Sequence, residues 1–438
     1  MAPALPYWQR AGQRAIERSA SVEAIGHLSK GLEVLTTLPD TPARTQQELA
    51  LQTTLGPALL HTKGYAAPEV ASVYTRAREL CQQVGETPQL FPVLWGLWYF
   101  YTIRAEFQTA RELEEQYLTL AQRVHDPALL LQAHFMLATT SLHLGELVLA
   151  RASTEQVMTL YNPQQHRARL LLYGEETGII SQAYIGRSLW LLGYPDQAVR
   201  LSHAGVLLAQ ELKHPPSLAF ALTWAATVRQ NCREAHTTQE QAEALIALST
   251  EQGLAIWVAY GAVLQGWALA QQGQWEEGIA QMRRGYAAWR ATGAEVDVPY
   301  FLVLLAEAYG NVGQVEVGLE LLAEAAPVVD KGERYWEAEL YRVKGELLLA
   351  RSAAQHTEAE TSLHQALEVA RCQQAKSLEL RAALSLSRLW QHQGKCPEAR
   401  ALLAPIYGWF TEGFATADLQ EAKAWLAVSC TQGPERGS

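Results

Sequence analysis

Eight side chains carry most of the binding chemistry that the sequence offers. Arg187 and Arg388 each present a planar fork of donors that can hold a carboxylate through two parallel hydrogen bonds. Glu307 is an acid of the opposite kind, and Trp190 and Trp267 are large aromatic surfaces. The run Trp95-Gly-Leu-Trp-Tyr-Phe-Tyr-Thr-Ile-Arg104 is the densest aromatic patch, and Trp95, Trp98 and Arg104 within it would anchor a peptide or a small molecule. Residues for turnover lack the spacing that turnover needs. The chain has no G-x-x-x-x-G-K-[ST], H-E-x-x-H, G-x-S-x-G or G-x-G-x-x-G, and Gly394-Lys395 runs into Cys396. His134 and His143 lie nine apart on one expected helix, away from a ligating spacing of four. With His125 and His166 they read as ordinary surface or core histidines. Carboxylates such as Glu112, Glu114 and Glu115, or Glu276 and Glu277, read as solvated helix faces rather than an acid–base pair. The expectation is a binding chain with no catalytic residue, no metal and no cofactor.

What positions these residues is a repeat. Gly145-Glu-Leu-Val-Leu-Ala150, Gly193-Tyr-Pro-Asp-Gln-Ala198 and Gly394-Lys-Cys-Pro-Glu-Ala399 share a Gly, four residues and an Ala, and the phrases at Gly273 and Gly313 end in Gly278 and Gly318. An amphipathic stretch with a small residue midway (Ala138, Gly186, Gly266, Ala306, Ser387) precedes each phrase. A second stretch with another small residue follows, at Val157, Gly205, Gly285, Ala325 and, imperfectly, Ile406. This is a helix, a turn at Gly, and a second helix. The paired small residues let the two helices cross closely. The pattern resembles the tetratricopeptide repeat. The first small residue of the second helix recurs at Ala24, Val70, Ala110, Ala150, Ala198, about Gln239, Gly278, Gly318, Ala359 and Ala399, with a dominant spacing of 40.

The fold class that follows is all-α: an α-α superhelix of about ten helix pairs of ~40 residues, right-handed, as one solenoid over residues 1–430. A capping helix is expected over 415–428 and a disordered tail over 431–438. The segment from Tyr161 to Thr177 reads as a loop inserted between repeats. First helices of such arrays line the concave face. Positions just after the midway small residue face that groove and pick out Arg187, Trp190, Trp267, Glu307 and Arg388. Many of the 13 Trp fall on first helices, where inter-repeat packing is the plainer use for them.

Composition narrows the partners. With 35 Lys+Arg against 45 Asp+Glu the net charge is −10, which disfavours a nucleic-acid surface. Five scattered cysteines without a C-x-x-C pair form neither a disulfide framework nor a zinc site. The N-terminal residues carry no signal-peptide pattern, and no apolar run approaches the ~18 residues of a membrane span. A cytoplasmic protein is expected.

Specific phrases add a further resemblance. Tyr7-Trp-Gln-Arg-Ala-Gly-Gln-Arg-Ala15 with Ala24-Ile-Gly-His-Leu28, Gly64-Tyr-Ala-Ala-Pro-Glu-Val70, Trp190-Leu-Leu-Gly-Tyr-Pro-Asp-Gln-Ala198, Glu339-Leu-Tyr-Arg-Val-Lys-Gly-Glu-Leu-Leu348 and Ser377-Leu-Glu-Leu-Arg-Ala-Ala383 carry it. They resemble the C-terminal repeat region of bacterial proteins that join an adenylate/guanylate cyclase or kinase domain to a STAND-type ATPase. At Tyr173-Gly-Glu-Glu-Thr-Gly178 that family tends to have Asp-Pro where this chain has Glu176-Thr177. The cyclase and ATPase modules have no counterpart in this sequence, so no catalytic residue is carried over. The resemblance implies a non-catalytic scaffold that binds a protein or peptide partner of the cyclase or ATPase type in signal transduction. The alternative is a repeat domain that senses a small molecule.

Overall fold

The computed structural model describes residues 5–18, 20–85, 87–162, 176–352 and 355–428. They form twenty-one helices and, among the described residues, no strand. Twenty helices stand as ten consecutive pairs. The first four pairs are α1 (Leu5–Glu17) with α2 (Ser21–Thr36), α3 (Pro42–Lys63) with α4 (Pro68–Val84), α5 (Leu90–Ile103) with α6 (Phe107–Val124), and α7 (Pro127–His143) with α8 (Leu147–Leu160). The fifth to seventh are α9 (Thr177–Leu191) with α10 (Pro195–Leu212), α11 (Pro215–Asn231) with α12 (Ala235–Gln252), and α13 (Ala255–Gln271) with α14 (Trp275–Ala291). The last three are α15 (Val298–Asn311) with α16 (Val315–Asp330), α17 (Glu337–Arg351) with α18 (His356–Cys372), and α19 (Lys376–His392) with α20 (Cys396–Trp409). The single helix α21 (Ala417–Val428) closes the array. Every marker residue from Ala24 to Ala399 lies in the second helix of a pair. Most of the inserted loop (163–175) and the whole tail (431–438) fall outside the described residues.

Local chemistry explains the punctuation. Asp126 caps α7 by accepting from the Ala128 amide at 2.8 Å, and Pro127 fills the first helical position, where no amide is needed. Between helices of a pair the turn needs a left-handed residue, as at Gly193 (φ 93°) and Gly273 (φ 88°). Within a pair the helices nearly touch at their small residues. A Cβ on Gly266 of α13 would lie 2.6 Å from both the Gly278 carbonyl and the Met282 amide nitrogen of α14.

First and second helices differ in burial. Second helices bury one stripe, as α10 does with Ala198, Ser202, Gly205 and Ala209. First helices bury nearly all faces: in α5, every residue from Phe91 to Phe100 is buried. The reason is that the superhelix closes on itself, one turn stacking on the next with a register of five pairs. The Ile103 carbonyl at the end of α5 accepts from the Glu295 and Val296 amides at 2.9 and 3.0 Å, just before α15. The His143 carbonyl at the end of α7 accepts from the Arg334 and Tyr335 amides at 2.7 and 3.2 Å, just before α17. Ser377 of α19 donates to the Trp190 carbonyl of α9, 187 positions away, at 2.5 Å. Arg233, after α11, reaches Glu421 of α21 at 2.7 Å.

Aromatic rings fill the space enclosed by this winding. Ring centroids run from Trp98 to Phe135 (6.1 Å), Tyr184 (6.1 Å), Trp224 (5.2 Å), Tyr260 (5.5 Å) and Phe301 (4.9 Å), drawing on six successive first helices. The chain of rings then returns to the first turn, where Trp336 meets Trp190 at 5.9 Å. Each such indole removes ~150–250 Å² from water, about 4–6 kcal/mol of hydrophobic stabilisation before entropy costs. Among the described residues no helix is long and apolar enough to cross a membrane.

Candidate functional site

A charged cluster lies in the enclosed interior. Arg187 of α9 donates to Asp297 Oδ1 at 2.8 Å, and both side chains are 2% exposed. Tyr335 donates to the same oxygen at 2.6 Å. Asp297 sits at φ 62°, and its own amide donates to Glu333 Oε1 at 2.7 Å. Glu333 Oε1 also faces His143 Nδ1 at 3.2 Å, and His143 Nε2 faces the Tyr184 hydroxyl at 3.1 Å. The Arg187 guanidinium lies 4.2 Å from the Trp224 ring and 4.6 Å from the Tyr335 ring.

Burial sets the protonation of this cluster, and its charges correct the setting. Burial pushes the Asp297 carboxyl up, but the Arg187 guanidinium, with the hydrogen bonds from Tyr335 and Arg187, outweighs it and holds it below the usual carboxylate range. Burial, with the negative Asp297 nearby, holds Glu333 well above that range, so Glu333 is the neutral acid. Burial pushes His143 down to about 3, so it is neutral, with Nδ1–H donated to Glu333 and Nε2 accepting from Tyr184.

One ligand atom each of His143, Asp297 and Glu333 lie within 4.8 Å of one another. A metal would find them engaged, with a guanidinium on the same carboxylate. The cavity beside them, walled by Trp98, Phe135 and Trp224, is about 30 Å³, room for one or two waters. The cluster therefore joins α7 and α9 to the connections that enter α15 and α17, and it works as an inter-turn lock.

The accessible polar site is elsewhere. The inner faces of α13, α15, α17 and α19, with the residues around Arg233 and α21, line a cleft of about 430 Å³. Four arginines and five carboxylates face it in a paired network. Arg342 of α17 reaches Glu307, Glu339 and Glu346; Arg381 of α19 reaches Glu339 and Asp418; Arg388 reaches Glu421 at 2.9 Å. Trp267, Trp275 and Trp336 contribute to its walls. The cleft thus brings charges of both signs and aromatic side chains together.

The eight residues singled out from the sequence divide between these settings. Glu307 and Arg388 line the cleft with part of their side chains exposed, and Trp267 borders it at 3% exposure. Trp95, Trp98, Arg187 and Trp190 are at most 2% exposed in the enclosed interior, because the second turn of the superhelix covers the face that an open array would present. Arg104 is on the surface and pairs with Glu106 at 3.0 Å. The sequence reading missed Glu339, Arg342 and Arg381 in the cleft, and Asp297 and Glu333 in the lock. A usable signal existed for the first three: charged residues at inner positions of otherwise small and apolar first helices. Asp297 and Glu333 lie in connections, outside any periodicity.

No protein-family profile matches the chain. A curated relative, an uncharacterized protein of Rhizobium meliloti (strain 1021), is 23% identical over 390 residues, which is 88% of this chain and 38% of the relative. The chain thus spans well under half the length of that relative. Among solved structures it is similar to a Rap protein complexed with competence and sporulation factor, with TM-score 0.54 and 12% identity over 91% of this chain and 99% of that one. A STAND signal-transduction ATPase with a tetratricopeptide-repeat sensor from Pyrococcus horikoshii aligns at TM-score 0.40 and 11% identity, over 82% of this chain and 55% of that one. The Rap likeness is one of fold, and the fold is a tetratricopeptide-like helical solenoid.

Proposed function

We propose that this chain is a non-catalytic interaction module that holds a segment of a protein partner in the polar cleft. On this reading it serves bacterial signal transduction as the regulatory repeat region for a cyclase- or ATPase-type partner. The observation that carries the reading is the cleft itself: inner faces of three successive first helices, α15, α17 and α19, bring paired charges of both signs to it beside Trp267 and Trp275. Such an arrangement reads a peptide by exchanging internal ion pairs for ligand ones, which gives specificity more than raw affinity. The solved Rap protein of the same fold carries a bound factor, which agrees with the reading. Phrases such as Trp190-Leu-Leu-Gly-Tyr-Pro-Asp-Gln-Ala198 support the signalling context by resemblance.

The test is affinity capture from the native cell, comparing the wild-type chain with a Glu307→Lys/Arg388→Glu variant of unchanged circular dichroism. A protein recovered by the first and lost by the second supports the reading. Recovery of the same set by both, or of no specific protein, refutes it. The volume of the cleft also falls within the ~300–1,000 Å³ of small-molecule sites. A sensor of small molecules is therefore the second reading, and a metabolite that shifts Trp fluorescence in the wild type alone would favour it.

A further inference from the structure

The cleft does not carry its charge evenly. One guanidinium, that of Arg342, serves three carboxylates: Glu307 at 2.9 Å, Glu339 at 2.8 Å and Glu346 at 2.6 Å. Arg381 adds a contact to Glu339 at 3.1 Å but is shared with Asp418 at 2.8 Å. At the opposite end Arg233, Arg381 and Arg388 meet Asp418 and Glu421, where charge nearly cancels. The unbalanced negative charge thus lies along α15 and α17. Glu307 and Glu346 there keep 33% and 36% of their side chains exposed.

Beneath them Glu339 is 3% exposed, and its Oε2 has no hydrogen-bond partner among the described residues. Burial pushes the Glu339 carboxyl up, but Arg342 and Arg381 outweigh it, so the acid stays ionised. A buried charged acceptor without a donor is costly to leave unmade. A donor arriving through the cleft would complete it. Aromatic side chains border the same cleft, Trp275 half-buried and Trp267 3% exposed, and an aromatic neighbour suits a cation.

The geometry points to a subsite for an organic cation, the guanidinium or ammonium of a basic side chain on the bound peptide. It sits between Glu307 and Glu346, gives an N–H to Glu339 Oε2 and packs towards the half-buried Trp275. This rests on the peptide-binding reading above and adds its charge preference. The same chemistry belongs to a free diamine, so the two sources must be separated by experiment.

The experiment is calorimetric titration of the full chain with three capped heptapeptides, each with two flanking Gly on either side of Arg-Arg-Arg, Gln-Gln-Gln or Glu-Glu-Glu, and with agmatine as the free cation. The Arg peptide is expected to bind at least tenfold tighter than the Gln peptide and tighter than agmatine. Glu307→Gln/Glu346→Gln should remove that preference, while Glu112→Gln/Glu115→Gln, on an exposed face of α6, should preserve it. Equal binding of the Arg and Gln peptides, tighter binding of the Glu peptide, or equal loss in the α6 variant overturns the subsite. Gln- or Glu-peptide binding that disappears with Arg388→Glu would keep the peptide reading and remove only the cation preference. Binding of no peptide removes both. Agmatine binding as tightly as the Arg peptide, and lost with Glu307→Gln/Glu346→Gln, keeps the cation subsite and removes the peptide.

Discussion

Removing half of the Arg187–Asp297 pair should destabilise the whole superhelix and not only one repeat. Arg187→Met keeps the length of the side chain but leaves the Asp297 carboxylate buried at 2% exposure with only the Tyr335 hydroxyl on its Oδ1. The lost charged hydrogen bond contributes ~1.5–3 kcal/mol. The lost stacking on Trp224 and Tyr335, at 4.2 and 4.6 Å, adds about 1 kcal/mol each. The expected cost is therefore about 3–5 kcal/mol, the usual range for an uncompensated buried charge. Asp297→Asn should cost a similar amount by stranding the guanidinium. The double variant should fall short of the sum by at least ~2 kcal/mol, since the second change removes a charge already stranded. Urea unfolding followed by circular dichroism at 222 nm and by Trp fluorescence measures all three. The pair bridges 110 positions, so hydrogen exchange in α15 and α17 should accelerate in Arg187→Met along with that in α9. A loss below ~1 kcal/mol, or singles that add within ~0.5 kcal/mol, would refute the lock.

The lock also fixes a pH response. His143, neutral in the fold with its pKa pushed down to about 3, takes up a proton on unfolding below its ordinary ~6.5, so its share of stability falls as pH drops from there towards 3. Glu333, held protonated, releases a proton on unfolding above its ordinary ~4.3, so its share falls as pH rises through that value. Between about pH 4.5 and 6.5 the two slopes cancel. Relative to the wild type, Glu333→Gln should raise the slope of stability against pH in that window by about 1.4 kcal/mol per pH unit, read from urea midpoints of both proteins; an unchanged slope removes the assignment. Gly266→Ala should cost about 1–3 kcal/mol, because its Cβ would stand 2.6 Å from backbone atoms of α14. Gly26→Ala, on an exposed helical site with nothing within 4 Å, should instead stabilise by about 0.5–1 kcal/mol, and thermal melts of the two variants check the contrast.

The repeat was legible because its signal is steric and local. The turn at Gly193 needs a positive φ, and the crossing at Gly266 needs a missing side chain, so both needs are written at fixed spacing. Closure was not legible, since it depends on pitch, and no residue type encodes the number of pairs per turn. That is why Arg187, read as a clamp for a partner's carboxylate, holds the carboxylate of Asp297 from its own chain. The same blindness hid Glu333, whose partner His143 lies 190 positions away. Glu307 and Arg388 lie in the C-terminal halves of α15 and α19, which line the cleft, and there the positional rule alone identified lining residues. The low charge content, 18% of the chain, has the same cause as the hidden lock. First helices are buried between outer helices on one side and the next turn on the other, which leaves little surface for charge.

Closure also decides where recognition can occur. Reaching Trp95 or Trp190 from solvent would require separating the turns. That breaks the bonds to the Ile103, His143 and Trp190 carbonyls, each contributing about 1 kcal/mol. It also exposes several indoles at about 4–6 kcal/mol each and strands the Arg187–Asp297 pair at a further ~3–5 kcal/mol. A partner would have to recover all of this before gaining any affinity, and an equilibrium shifts only by the differential binding free energy a ligand supplies. The cleft asks for much less: Arg233, Arg342 and Arg381 each contact more than one carboxylate, and exchanging one ion pair for another leaves the aromatic interior untouched. On the proposed reading, a partner therefore meets a far lower cost at the cleft than along the buried aromatic core.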